Sequence, residues 1–226
     1  MMEAGLTLAV LGVFGLLVVI PVVFLAVVVP MSMRAERARK AVLWDWAVTH
    51  GWTFTERGRA AWTARLPGRN SRGLGVIVSG SLGGRWVTVA EYSYQTTSSS
   101  GDSTTTTTHN FIVVLVVLDR MYPPVSVRHR GVFSQLGRAM FGDKPTATGY
   151  GLFDSQFRID AQDPVCAKAL VGPALIAAHT ARTVPSWSLV GAELLTRIPT
   201  SGKLRDPNMI PGYAAQLLRV ADLLGH

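Results

Sequence analysis

The side chains in this chain that could do chemistry are a few histidines, one cysteine and a scatter of carboxylates. His50, His109, His129 and His179 stand far apart, and none has a metal-ligating neighbour at i+2, i+3 or i+4. The sequence contains no HExxH, GxSxG, GxxxxGK[ST] or CxxC pattern and no Rossmann glycine fingerprint, so the common hydrolytic, nucleotide-binding and redox motifs are absent. Cys166 is the single cysteine, which excludes an internal disulfide and any multi-thiolate metal site. Beside a histidine it could act as a nucleophile. Its setting, at the start of an expected helix among Val165, Ala167 and Ala169, instead predicts a buried, inert thiol. Asp154, Asp160 and Asp163 are close in sequence and read as turn and cap residues. Glu91 lies on a strand between Ala90 and Tyr92, and alternation puts it on the face opposite Tyr92 and Tyr94, where an exposed glutamate is expected. These residues assign no catalytic, cofactor-binding or metal site, and no cofactor is expected.

The elements that would position these groups begin with residues 6–29, LTLAVLGVFGLLVVIPVVFLAVVV, which carry no charge and no Asn, Gln or His. As a helix at 1.5 Å per residue the run reaches about 36 Å, enough to cross a hydrocarbon core of about 30 Å. No Lys or Arg precedes it, and it is too long for the core of a cleaved signal, so a retained anchor over residues 1–30 is expected. Pro21 bends it at the loss of one hydrogen bond. Arg34, Arg37, Arg39 and Lys40 follow at once, opposed only by Glu36. This cluster predicts a cytoplasmic domain, a single-pass topology and contact with anionic headgroups worth about 1 kcal/mol per cation.

The formal charge is +8 over 226 residues. Residues 31–72 hold nine Lys/Arg against three acids, a net of +6. Because the excess is juxtamembrane and no nucleic-acid motif accompanies it, lipid is expected and nucleic acid is not. A basic helix is expected over 31–51, with Ala41, Trp44 and Val48 as the apolar row docked on the domain, flanked by Leu43 and Ala47, and Gly51 as its stop. Strands follow. Residues 86–97 alternate, placing Trp86, Thr88, Ala90, Tyr92 and Tyr94 on one face. Residues 110–118 are apolar on both faces, as in the middle of a sheet covered on each side. Pro123 and Pro124 should close that strand, with 125–128 as a separate short one. Between the central strands, 95–109 read as a projecting Ser/Thr-rich hairpin. Its Thr96, Thr97, Thr104, Thr105 and Thr106 are candidate contacts for a partner protein.

Helices dominate the last third. They are expected over 131–141, from the Asp163-Pro164 cap to Val171, from Gly172-Pro173 to about Ala181, and over 211–224. Residues 187–198 read as a strand pair turned near Gly191. Strands first and helices later, without βαβ alternation, predict an α+β domain over 52–226, built on an antiparallel sheet with C-terminal helices behind a transmembrane anchor.

The order of apolar anchor, Gly51-Trp52, Gly84-Arg85, EYSY and the TTTTTH return arm resembles a family of uncharacterised single-span membrane proteins common in actinobacteria. The resemblance implies an inner-membrane location and carries no activity. Two function classes fit the residues. The first is a non-catalytic binding, adaptor or accessory subunit that engages another membrane protein. The alternative is an enzyme acting on a membrane-linked substrate, with a site assembled only by folding around Cys166 or Glu91 and a histidine.

Overall fold

The structure, a computed structural model, describes residues 28–68, 70, 73–101, 103–130 and 146–225. The chain divides into two compact units, Met1–Trp44 and Asp45–His226. Most of the run expected to form the anchor, and the helix expected over 131–141, lie outside the described residues. No helix among the described residues is long and apolar enough to cross a membrane.

Helix α1 (Val29–Thr49) places Pro30 in its first turn, where a missing N–H costs nothing. Gly51 ends it at φ +69°, a conformation suited to glycine. The chain then reverses, and Trp52 N–H donates to Ala47 O at 2.7 Å. Leu43 and Ala47 are buried, whereas Trp44 and Val48, expected to dock, are 54% and 55% exposed.

The sheet has six antiparallel strands: β1 (Thr53–Thr55), β2 (Ile77–Leu82), β3 (Arg85–Ser100), β4 (Ser103–His129), β5 (Phe157–Ala161) and β6 (Trp187–Thr200). β4 is the axis. Its first half pairs with β3 on one side and β6 on the other; from Val125 onward, β5 replaces β3. The strand expected over 125–128 is therefore the continuation of β4. It runs through Pro123 and Pro124 because the pairing with β6 slips on both sides of Tyr122, and an irregular segment tolerates residues without N–H donors.

β6 is likewise one strand rather than a pair. Thr196 Oγ1 donates to Ser186 O at 2.7 Å, although ten residues separate them. A straight strand would hold those residues roughly 33 Å apart. The bend falls at Gly191, φ +60°, opposite the slipped segment of β4.

Both faces of the central strands are covered. A 3-10 turn (Ala61–Arg65) and the following loop lay Trp62, Leu66 and Leu74 on Ala90, Tyr92, Val113, Leu115 and Leu195. Residues of opposite parity, including Val89, Ile112 and Val114, are also buried. Helix α5 (Met209–Leu223), which packs on β4, β6 and β3, buries Ile210, Ala214, Leu217 and Val220. Among the described residues there are also three short helices: α2 (Gly151–Gln156), α3 (Pro164–Leu170) and α4 (Pro173–Thr180). Asp163 caps α3 as expected, accepting from Val165 N–H and Cys166 N–H at 2.9 and 3.1 Å.

Candidate functional site

The β3–β4 hairpin continues well past the core. Its register runs unbroken from Val87↔Val116 to Ser100↔Ser103, and every described residue from Gln95 to Thr108 is exposed. Thr96, Thr97, Thr104, Thr105 and Thr106 all stand on this arm. Its rungs are linked by side chains: Thr97 Oγ1 to Thr106 Oγ1 at 3.4 Å, Gln95 Nε2 to Thr108 Oγ1 at 3.3 Å, and Thr96 Oγ1 to His109 Nε2 at 2.9 Å. At the base, Tyr94 stacks between His109 and Phe111, with ring centroids at 4.8 and 5.9 Å. That stack fixes the direction in which the arm leaves the sheet. Sequence alternation offered Tyr94, but not its cross-strand neighbours.

Both outer edges of the arm are open. β2 pairs with β3 only as far as Ala90, and β6 reaches β4 only at Asn110. Among the described residues no strand covers 93–100 or 103–109. Edge strands are usually guarded by lysine, proline or bulges; here the arm has none of these and no cation between Tyr94 and His109. Because nothing in the core rests on its tip, deleting residues 98–103 should change stability by less than about 0.5 kcal/mol. A thermal melt of the deletion variant checks this, and a large fall would make the tip structural.

The basic residues of α1 are not equivalent. Arg34 and Arg37 are exposed, while Arg39 is half-buried and holds Glu36 through Nη2 at 2.8 Å and Nε at 3.1 Å. Lys40 is half-buried too. The exposed Trp44 and Val48 lie about 20° to either side of Arg37 around the helix, given 100° per residue.

The carboxylates depart furthest from expectation. Glu91, expected at the surface, is buried: Oε1 accepts Leu204 N–H at 2.8 Å and Oε2 accepts Val76 N–H at 3.3 Å. Its face is covered because the 201–208 loop and α5 lie over it. Asp160 is no turn residue. It sits on β5 with its side chain fully buried, held by Arg128 and Arg158. Asp154 gathers Thr148 N–H, Thr148 Oγ1 and Gly149 N–H at 2.9–3.2 Å. Burial raises its pKa, but these donors and Arg130 outweigh burial and leave it below the ordinary value.

Cys166 is half-buried, and its pKa is raised by burial and by Asp163. A raised thiol is a poor nucleophile. No group of three or more His, Cys, Asp or Glu among them could hold a metal ion. A cleft of about 670 Å³ under the 59–73 loop is lined by Arg59, Thr63, Asn70 and Tyr92, with no histidine, cysteine or carboxylate among its described walls.

His179 on α4, which the sequence offers only as one of four scattered histidines, takes its character from folding. It is 0% exposed and packed against Phe153, Phe157 and Trp187. Burial, assisted by His129, lowers its pKa from 6.5 to about 4. The unfolded chain therefore takes up this proton first as pH falls. The stability due to neutral His179 is complete above pH 6.5 and is lost toward pH 4. At about pH 5 the loss should approach about 2 kcal/mol relative to pH 7. His179→Gln, which cannot charge, should flatten that part of a denaturation-versus-pH profile.

No protein-family model and no curated protein sequence matches this chain. Among solved structures, the chain is similar to the crystal structure of the mycobacterial trehalose monomycolate transport factor A, TtfA. The TM-score is 0.51, with 83% of this chain and 92% of that chain covered at 12% identity. At that identity the likeness is one of fold: the bent antiparallel sheet with its C-terminal helices is an architecture shared with TtfA.

Proposed function

We propose that this chain is a membrane-anchored, non-catalytic accessory subunit of a bacterial membrane transport system, and that it binds another membrane protein by strand addition to the β3–β4 arm. The observation that carries the reading is the arm itself, a preformed two-stranded ribbon with both edges open and unguarded. A partner strand laid along either edge would satisfy backbone donors and acceptors already held in an extended row. Likeness in fold to a protein named as a transport factor supports the transport setting. The missing catalytic constellation among the described residues favours binding over chemistry.

The proposed location is the bacterial inner membrane, in keeping with the resemblance to the actinobacterial single-span family, with the domain in the cytoplasm. Residues 6–29 would be the anchor. Arg34 and Arg37, with Trp44 and Val48 on the adjoining surface, would meet anionic headgroups, and Arg39 and Lys40 would add to the same collar. Reversing the charges of Arg34, Arg37, Arg39 and Lys40 should invert part of the population in a two-sided topology reporter; an unaltered ratio would refute the orientation.

Strand addition is tested with a photo-crosslinking residue at Thr106 in the full chain within native membranes. A discrete adduct with a membrane protein is expected, and it should vanish when Thr97 and Thr105 are both changed to Lys, with no change in melting temperature. An adduct indifferent to those lysines would overturn the reading.

A further inference from the structure

The open edge of β4 and the threonines along it are matched more closely than strand addition alone requires. Ser100 pairs with Ser103, so two residues close the hairpin. In such a hairpin the pair flanking the loop exchanges hydrogen bonds, and the pairs beyond it alternate. Ser103, Thr105 and Thr107 therefore turn their N–H and C=O groups toward β3, whereas Thr104, Thr106 and Thr108 turn theirs to the open edge. That edge runs from Ser103 to His109, because β6 takes over at Asn110. Its midpoint is Thr106, and residues 104–108 are all threonine.

An antiparallel strand centred on Thr106 meets all of these groups when it is the same strand from another copy. Thr106 then faces Thr106, Thr104 faces Thr108, and Ser103 faces His109. Each open-edge threonine exchanges a pair of hydrogen bonds, and threonine stands opposite threonine along the whole run, a favourable cross-strand pair. The rung from Thr97 Oγ1 to Thr106 Oγ1, 3.4 Å long, continues across the two-fold axis into its own copy. Charge permits the contact. From Gln95 to Thr108 the sequence has no Lys or Arg and one acid, Asp102. The chain as a whole carries +8, but this pairing holds the two Asn110 positions about 27 Å apart, well beyond a Debye length of about 8 Å.

We propose, resting on the reading of the arm as a site of strand addition, that its β4 edge binds a second copy of this chain in a two-fold antiparallel pairing centred on Thr106. The β3 edge is left for the other membrane protein. Residues 95–99 read QTTSS, so self-pairing there would set Gln against Ser and lacks the symmetry of the threonine run. Two short strands make a small interface, so the pairing needs a high local concentration, which confinement of both copies to one bilayer would supply.

The test is cysteine pairing in the full chain, purified and reconstituted alone in phosphatidylcholine vesicles, with Cys166→Ala throughout. Oxidation with copper phenanthroline should link Thr106→Cys to its own copy, because facing residues lie about 5.5 Å apart at Cα, within disulfide reach. Thr104→Cys and Thr108→Cys should each give roughly a tenth of that dimer alone, since like positions are then about 14 Å apart, and mixing the two should restore most of it. Thr108→Pro removes an open-edge N–H and spares the pairing with β3, so it should cut the Thr106→Cys dimer roughly tenfold. No dimer, equal yields at the three positions, or a dimer indifferent to Thr108→Pro would overturn the proposal. If photo-crosslinking at Thr106 in native membranes then still captures a different protein, strand addition stands and only the second-copy assignment falls; no adduct of any kind there refutes both.

Discussion

Changing Arg128 and Arg158 together to methionine should destabilise the domain by about 3–5 kcal/mol, because it leaves an unpaired carboxylate in the interior. The Asp160 side chain is 0% exposed, against 18% and 29% for the two arginines. Arg128 reaches Asp160 Oδ2 through Nη2 and Nε, each at 2.7 Å, and Arg158 Nε donates to Oδ1. The asymmetry in burial decides which removal hurts more. Asp160→Leu leaves two guanidiniums that are already partly exposed to water, so it should cost only about 2 kcal/mol, mainly lost charge-assisted hydrogen bonds. The triple variant should recover most of the loss of the double one, since three groups acting as a unit do not add. Denaturant midpoints of the full chain in mild detergent read all three. Additive losses would mean that Asp160 is not the buried hub of the cluster.

Glu91→Ala should cost about 3–5 kcal/mol. Two backbone donors, Leu204 N–H and Val76 N–H, would lose a charged acceptor inside the protein, each worth about 1.5–3 kcal/mol. The first of these contacts holds the loop leading into α5 onto the sheet, so the damage should appear as early exchange of amides in α5. Gly75 supplies an independent check. A Cβ at that position would lie 2.7 Å from Glu91 Oε2 and 3.0 Å from Glu91 Cβ. Gly75→Ala should therefore be destabilising in the native background and less so beside Glu91→Ala, which removes the carboxylate but keeps the Cβ contact. Equal costs in both backgrounds would show that the carboxylate is not the obstacle.

How far the sequence carries depends on the range over which each signal acts. The Asp163-Pro164 cap, the Gly172-Pro173 restart and the Gly51 stop need only neighbouring residues, and each is found where expected. The Ser/Thr hairpin was legible for the same reason. β-branched residues on a return arm, turned by Ser-Gly-Asp, have few alternatives to an antiparallel ribbon. Residues 110–118, apolar on both faces, announced a central strand and therefore a sheet covered on each side.

Strand boundaries failed where pairing overrode local punctuation. Pro123-Pro124 and Gly191 read as stops, yet facing strands carry β4 and β6 through them as matched irregularities, and the sheet bends there. Trp44 and Val48 form as good an apolar row as Leu43 and Ala47, yet Leu43 and Ala47 are the buried pair, and spacing alone does not choose between them.

The amino-acid order alone determined an uncharged apolar run with cations behind it, the absence of catalytic motifs, an antiparallel α+β domain and a polar arm projecting from it. Each of these rests on composition or on spacing within a few residues. Tertiary structure alone decided that Glu91 and Asp160 are interior anchors and that His179 is buried against Phe153, Phe157 and Trp187. Burial and hydrogen bonding between residues up to 113 positions apart, as in Leu204 to Glu91, create those properties, and no local pattern encodes them.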